Sequence, residues 1–146
     1  MARVQLALNV SNLDEAVEFY RRLFDAEPAK RRAGYANFAI ADPPLKLVLI
    51  EGGGEPGTLN HLGVEVGSTG EVVTEGARLK REGFALRHED GVTCCYAVQD
   101  KVWVTGPDNC EWEVYAVLAD APASVQTPAP QLEQSGASCC GSAESA

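Results

Sequence analysis

The sequence predicts an α+β fold in which two βαβββ modules pair into one cupped mixed sheet. Three observations predict it. Apolar residues recur with a period of two in short runs and with a helical period in two longer ones. The pattern then repeats at a nearly constant offset, since Gln5 stands 56 residues before His61 and Ser11 stands 57 before Ser68. One such module would leave a sheet face bare, so two must pair, closing the sheet around a cavity.

The elements follow in order. Val4–Val10 reads as a strand. Ser11-Asn12-Leu13-Asp14 has the capping-box pattern, with Ser11 as the cap. Leu13, Ala16, Val17, Tyr20, Leu23 and Phe24 then share one helical face, and Pro28 follows the helix end. The stretch 29–41 holds one or two strands and Leu45–Ile50 another. In the second module His61–Val66 is a strand and Ser68-Thr69-Gly70-Glu71 a second capping box. A helix runs through Val72, Gly76, Leu79 and Arg81 to Gly83. Strands are expected at Thr93–Gln99, Lys101–Thr105 and Trp112–Leu118, with a turn at Gln99-Asp100. The modules span about residues 3–51 and 59–118, and the Gly-rich stretch 52–58 links them. That linker is long enough for the halves to close within one chain or to swap between two, so a monomer and a homodimer both stay open. The domain covers 1–118. Residues 119–146, rich in Ala, Pro, Ser, Gln and Gly, read as a disordered tail.

Composition removes several functional classes. The 146 residues are 45% hydrophobic, enough for one domain with a core. A net charge of −9 argues against a nucleic-acid partner. No run approaches the roughly 18–20 apolar residues of a membrane span. The first ten residues lack an apolar core and cleavage site for export, so a cytoplasmic location is expected. The five cysteines, Cys94, Cys95, Cys110, Cys139 and Cys140, are odd in number and include two adjacent pairs. This is not a secreted disulfide framework, and in a reducing compartment the thiols stay free for metals or metalloids.

Three polar residues interrupt apolar strands. Gln5 opens the first strand, His61 opens its repeat, and Glu113 lies in Glu111-Trp112-Glu113-Val114-Tyr115. Alternation puts Glu113 on the face of Tyr115, with Glu111 at the strand entry. Imidazole, carboxylate and amide oxygen make a three-donor set with open positions, close to the facial triad of non-haem Fe(II) enzymes. A lone His61 would be structural; the repeat that sets it beside Gln5 makes it a ligand. His88, in Arg87-His88-Glu89-Asp90, reads as surface loop.

The adjacent thiols Cys94-Cys95 form a chelate for a soft, thiophilic species. Neighbouring side chains on a regular strand point apart, so both reach one atom only from a loop or a distorted strand start. Glu89-Asp90-Gly91 suggests such a loop, able to swing toward the metal. Cys110, in the Asp108-Asn109-Cys110 turn, reads as a small buried hydrophobe. The tail pair Cys139-Cys140 either passes metalloid on or does nothing. Lys101, after the expected turn, is solvated or uses its charge to hold an oxyanion. Tyr96 either closes over a substrate or packs in the core.

The runs Gln5-Leu-Ala-Leu-Asn-Val-Ser-Asn-Leu-Asp, His61-Leu-Gly-Val-Glu-Val and Gly106-Pro-Asp-Asn-Cys-Glu-Trp-Glu113-Val-Tyr resemble the vicinal oxygen chelate superfamily. That group includes glyoxalase I, extradiol dioxygenases and bleomycin-resistance proteins. The likeness covers about residues 3–118, and its metal positions fall on Gln5, His61 and Glu113. Gln5 stands where a histidine is usual, so the metal is expected to be loosely held. More narrowly, Tyr35-Ala-Asn-Phe-Ala-Ile, Pro44-Leu-Lys-Leu-Val-Leu-Ile-Glu and Cys94-Cys95-Tyr96-Ala-Val-Gln-Asp-Lys-Val-Trp-Val-Thr-Gly-Pro resemble the carbon–arsenic lyases and the related cadmium-induced proteins.

That resemblance implies Fe(II) as cofactor, O₂ as co-substrate and cleavage of a trivalent organoarsenical to arsenite. Catalytic positions would be Cys94, Cys95, Tyr96 and Lys101. The thiol count agrees: inorganic As(III) has three exchangeable ligands, whereas a monosubstituted organoarsenical has two, and two thiolates saturate it. The alternative is a binding protein for Cd(II) or As(III), using Cys94-Cys95 with or without Cys139-Cys140. A glyoxalase-like isomerase or antibiotic-binding protein is a third reading, in which the thiol pair has no role.

Overall fold

Alternation along each strand decides which face of the sheet the helices cover. The computed structural model describes residues 2–94 and 97–120. The first module comprises β1 (Arg3–Val10), α1 (Leu13–Phe24), β2 (Lys30–Arg32), β3 (Tyr35–Ile40) and β4 (Leu45–Glu51). The second comprises β5 (Leu59–Glu65), α2 (Thr69–Arg81), β6 (Arg87–Cys94), β7 (Ala97–Thr105) and β8 (Glu111–Asp120). The βαβββ order therefore occurs twice, as the repeat predicts. Cys95, Tyr96, Cys139, Cys140 and the expected disordered tail beyond residue 120 lie outside the described residues.

Among the described residues the strands form one eight-stranded sheet, ordered β2-β3-β4-β1-β5-β8-β7-β6. β1 is parallel to β4 and β5 to β8, while the remaining neighbours are antiparallel. The halves meet within one chain along β1–β5, where Gln5 faces Gly63 and Ala7 faces His61. The next pair is Leu8 with Leu59, so Asn60 is the extra residue of a β-bulge. The connection 52–58 is pinned to the end of β1: Asn9 N–H donates to the Thr58 carbonyl and Gly57 N–H to the Asn9 carbonyl, both at 2.9 Å.

Leu6 and Leu8 of β1, Ala36 and Phe38 of β3 and Leu47 and Leu49 of β4 point to one face and pack under Leu13 and Val17 of α1. Val102 of β7 and Val114 and Ala116 of β8 do the same under Val72 of α2. Each large aliphatic or aromatic side chain so buried contributes about 1.5–3 kcal/mol. Both helices cover the same face, which leaves the opposite face, carrying Gln5, His61 and Glu113, as the inside of a cup. No helix among the described residues is long and apolar enough to cross a membrane.

Several local expectations need correction. The N-cap of α1 is Asn12, not Ser11; its side chain accepts from Glu15 N–H, and Glu51 accepts from Leu13 N–H. Leu23 leaves the apolar face and is 59% exposed. The second capping box forms on Ser68, which accepts from Glu71 N–H. α2 ends in a Schellman turn: Gly83 N–H bonds the Lys80 carbonyl and Phe84 N–H the Leu79 carbonyl, with Gly83 at φ +92°.

The larger correction is in β6 and β7. Arg87-His88-Glu89-Asp90 is not a loop but the start of β6, although His88 is exposed as expected. An edge strand tolerates polar residues on both sides, which hides it from a pattern search. There is no turn at Gln99-Asp100; β7 runs unbroken from Ala97 to Thr105. A bulge in β6 at Asp90-Gly91, with Gly91 at φ +61°, faces Asp100, whose carboxylate accepts from Gly91 N–H at 2.6 Å. Cys94 ends β6 and pairs with Ala97.

Candidate metal centre

Gln5, His61 and Glu113 are each the third residue of their strands, β1, β5 and β8. Gln5, Gly63 and Glu113 form one row across three adjacent strands, because Gln5 pairs with Gly63 and Gly63 with Glu113. His61 lies two residues before Gly63 on β5, on the same face. A Cβ on Gly63 would meet Glu113 Cγ at 2.9 Å and Gln5 Nε2 at 3.1 Å, so only glycine leaves room for the donors to approach. The sequence reading missed Gly63, although a glycine inside a strand signals close approach.

All three donors are buried. Gln5 Nε2 donates to Glu113 Oε1 at 2.7 Å and stands 3.2 Å from His61 Nε2; His61 Nε2 is 3.4 Å from Glu113 Oε1. Donors about 2.1 Å from one cation at right angles stand about 3 Å apart, so the spacing suits a facial set around a single ion once the Gln5 amide is turned to put Oε1, its metal-donor atom, where Nε2 now stands. Among the described residues no three His, Cys, Asp or Glu side chains cluster to hold a metal, because the third donor here is an amide.

Lys101 is not solvated, as its charge suggested, but 1% exposed; its Nζ donates to Glu113 Oε2 at 3.1 Å. Burial alone would raise the Glu113 carboxyl, but the Lys101 ammonium, with the Gln5 amide donating to it, overrides it and holds the pKa at about 2. Oε2 is thereby committed to Lys101 and Oε1 faces the other donors. Tyr115, two residues beyond Glu113, donates its hydroxyl to Gln5 Oε1 at 2.5 Å. Burial and the charges of Glu65 and Glu113 push its phenol well above its ordinary range, so it remains a donor. Trp103 sits edge-on to His61 with ring centroids 5.5 Å apart.

Two cavities flank His61. One of about 160 Å³ is lined by Gln5, Asn37, Val48, Gln99, Glu113 and Val117, among others. The other, about 320 Å³, lies toward Asn9, Thr58, Asn60 and Glu111. The register Cys94–Ala97, Val98–Ala119, Gln99–Val117 sets the end of β6 beside the first cavity. Of the predicted site residues, Gln5, His61, Glu113 and Lys101 come together. Cys110 follows the 3-10 turn Pro107–Asn109 and is half-buried.

The family model for the glyoxalase/bleomycin resistance protein/dioxygenase superfamily matches residues 3–114. The chain belongs to that superfamily. Among its superfamily relatives, the cadmium-induced protein CadI of Mycobacterium tuberculosis (strain ATCC 25618 / H37Rv) is 67% identical over 121 residues, covering 83% of this chain and 80% of CadI. A protein of Thermomonospora curvata named trivalent organoarsenical cleaving enzyme is 60% identical over 122 residues, covering 83% of this chain and 81% of its own. The superfamily fold is shared with homoprotocatechuate 2,3-dioxygenase from Arthrobacter globiformis, at a TM-score of 0.58 and 18% identity, over 84% of this chain and 38% of that one.

Proposed function

We propose that this chain is an Fe(II)- and O₂-dependent enzyme that cleaves the carbon–arsenic bond of trivalent organoarsenicals, such as methylarsenite or reduced aromatic arsenicals, and releases inorganic arsenite. The observation that carries the reading is the convergence of one carboxylate, one imidazole and one amide beside a cavity that borders the thiol-bearing hairpin. The 60% identity to the Thermomonospora curvata protein supports it. Gln5, His61 and Glu113 would hold the iron, whose chemistry when bound is the activation of O₂.

The chain's own groups have distinct tasks in this reading. Lys101 keeps Glu113 ionised. Gln5 offers its oxygen once the amide turns over, which the Tyr115 hydroxyl permits because it both donates and accepts. Cys94 and Cys95 hold the arsenic as a dithiolate, leaving its carbon substituent presented, and Tyr96 closes over it. Ala97 and Trp103 lie six residues apart on β7, about 20 Å of strand, and Trp103 pairs with Glu113. In this reading Cys94 and Cys95 collect the arsenic and the segment beyond Gly91 delivers it toward the metal. Free thiols suit a reducing compartment, the cytoplasm.

Anaerobic reconstitution with Fe(II), then methylarsenite and air, should yield arsenite on speciation. Cys94→Ser and Cys95→Ser should each abolish turnover and leave iron binding intact; turnover surviving both replacements sinks the proposal. The likeness to CadI favours a second reading, a cadmium- or arsenite-binding protein. It predicts stoichiometric retention of arsenic without release of arsenite.

A further inference from the structure

We propose that Asn60 is a positioning residue that fixes the proton of His61 on Nδ1, leaving the Nε2 lone pair facing the Gln5 amide. The inference deepens the metal-site reading and rests on it. It follows from a hydrogen-bond chain in which each step dictates the next. The Glu55 carbonyl can only accept, so the Thr58 hydroxyl donates to it, at 2.6 Å. With its one proton spent, Thr58 Oγ1 can only accept, so the amide end of Asn9 facing it is Nδ2, at 3.0 Å. Asn9 Oδ1 therefore faces Asn60 and accepts from Asn60 Nδ2 at 3.1 Å. The same Nδ2 donates to the Gly53 carbonyl at 3.3 Å. Asn60 Oδ1 is then the atom left for His61 Nδ1, at 2.8 Å, and it can only accept. Nδ1 must carry the proton.

The opposite side of the ring agrees. Glu113 Oε1, the more distant neighbour at 3.4 Å, already accepts from Gln5 Nε2 at 2.7 Å, whereas Gln5 Nε2 lies 3.2 Å from His61 Nε2 and has no lone pair to offer, so that contact is a hydrogen bond only if His61 Nε2 accepts. The backbone explains why Asn60 can do this. On a regular strand it would point away from its neighbour His61. As the extra residue of the β5 bulge it is turned toward the ring instead. Gly54 guards the chain: a Cβ there would meet Asn9 Nδ2 at 2.8 Å. Partners of this kind typically change metal affinity by roughly 10–100-fold.

The test uses the full chain free of metal. It contains only two histidines, so long-range ¹H–¹⁵N correlation in alkaline solution, above the ordinary imidazole range, resolves both rings. Wild-type His61 should show a protonated Nδ1 and a bare Nε2. A proton on Nε2, or on both nitrogens, overturns the proposal without any variant. In Asn60→Leu the two ¹⁵N shifts should converge or exchange, and Fe(II) titrated anaerobically should bind roughly 10–100-fold more weakly. Gly54→Ala, at an exposed position outside the centre, should move the shifts in the same direction by displacing Asn9. Asn60→Asp keeps the acceptor and should keep the Nδ1 proton. An Asn60→Leu protein whose tautomer and affinity match wild type refutes the role. Failure of wild type to bind Fe(II) would instead overturn the metal-site reading, whatever the tautomer.

Discussion

The two modules share a topology and divide the work unequally. On the inner face the first module carries the apolar cluster Ala7, Tyr35, Val48 and Ile50 and supplies one donor, Gln5. The second supplies His61 and Glu113, the buried Lys101 and the thiol-bearing hairpin. The registers show where they diverge. Ala7 pairs with Val48 in the first half as Gly63 pairs with Glu113 in the second, and the offset that carries Gln5 to His61 carries Ala7 to Gly63. Val48 thus occupies the position at which the other half has its carboxylate. At this matched position one half has an apolar side chain and the other a carboxylate.

Matched substitutions in the two halves test this division. Glu113→Ala should abolish Fe(II) binding and, by leaving Lys101 buried without its counter-charge, cost about 3–5 kcal/mol in urea unfolding. Val48→Ala should cost about 1–3 kcal/mol and keep iron binding; loss of iron there would break the comparison. Gly63→Ala should weaken Fe(II) binding roughly 10–100-fold and cost about 1–3 kcal/mol by overpacking. Ala7→Gly, its counterpart, should cost about 0.5–1 kcal/mol and leave affinity unchanged.

Lys101→Met sharpens the contrast through pH. Glu113 has a folded pKa of about 2, below the ordinary 4.5. Its contribution to stability is therefore complete above about pH 4.5 and is lost as the pH falls toward 2. In Lys101→Met, burial acts on Glu113 without the opposing ammonium and raises its pKa, so acid should narrow the gap between variant and wild type. Urea midpoints measured from neutral to acid pH check this; a constant gap would show that Lys101 does not hold the carboxylate. The smallest effects belong to the helix caps. Asn12→Ala and Ser68→Ala should each cost about 1 kcal/mol, read as a drop in Tm.

The repeat and the βαβββ order of each half were legible from the offset pattern, and the meeting of Gln5, His61 and Glu113 was legible because a polar residue inside an apolar alternation is conspicuous. Lys101 was not, since a lysine beside Asp100 reads as solvent-facing until its partner across the sheet is known. β6 escaped because an edge strand need not alternate. Asn60 escaped because its orientation comes from a bulge, a property of pairing with β1. Glu113 and Tyr115 were assigned correctly to one face, but only register shows that the tyrosine holds Gln5 in the other half.

The donors straddle the β1–β5 seam, with Gln5 on one side and His61 and Glu113 on the other. A cation held there would work as a staple between the duplicated halves, stabilising their association by about 2.7 kcal/mol at a hundredfold excess over its dissociation constant. A chain cut within 52–58 would then reassemble in proportion to the iron supplied, making the duplication seam itself a gauge of metal loading.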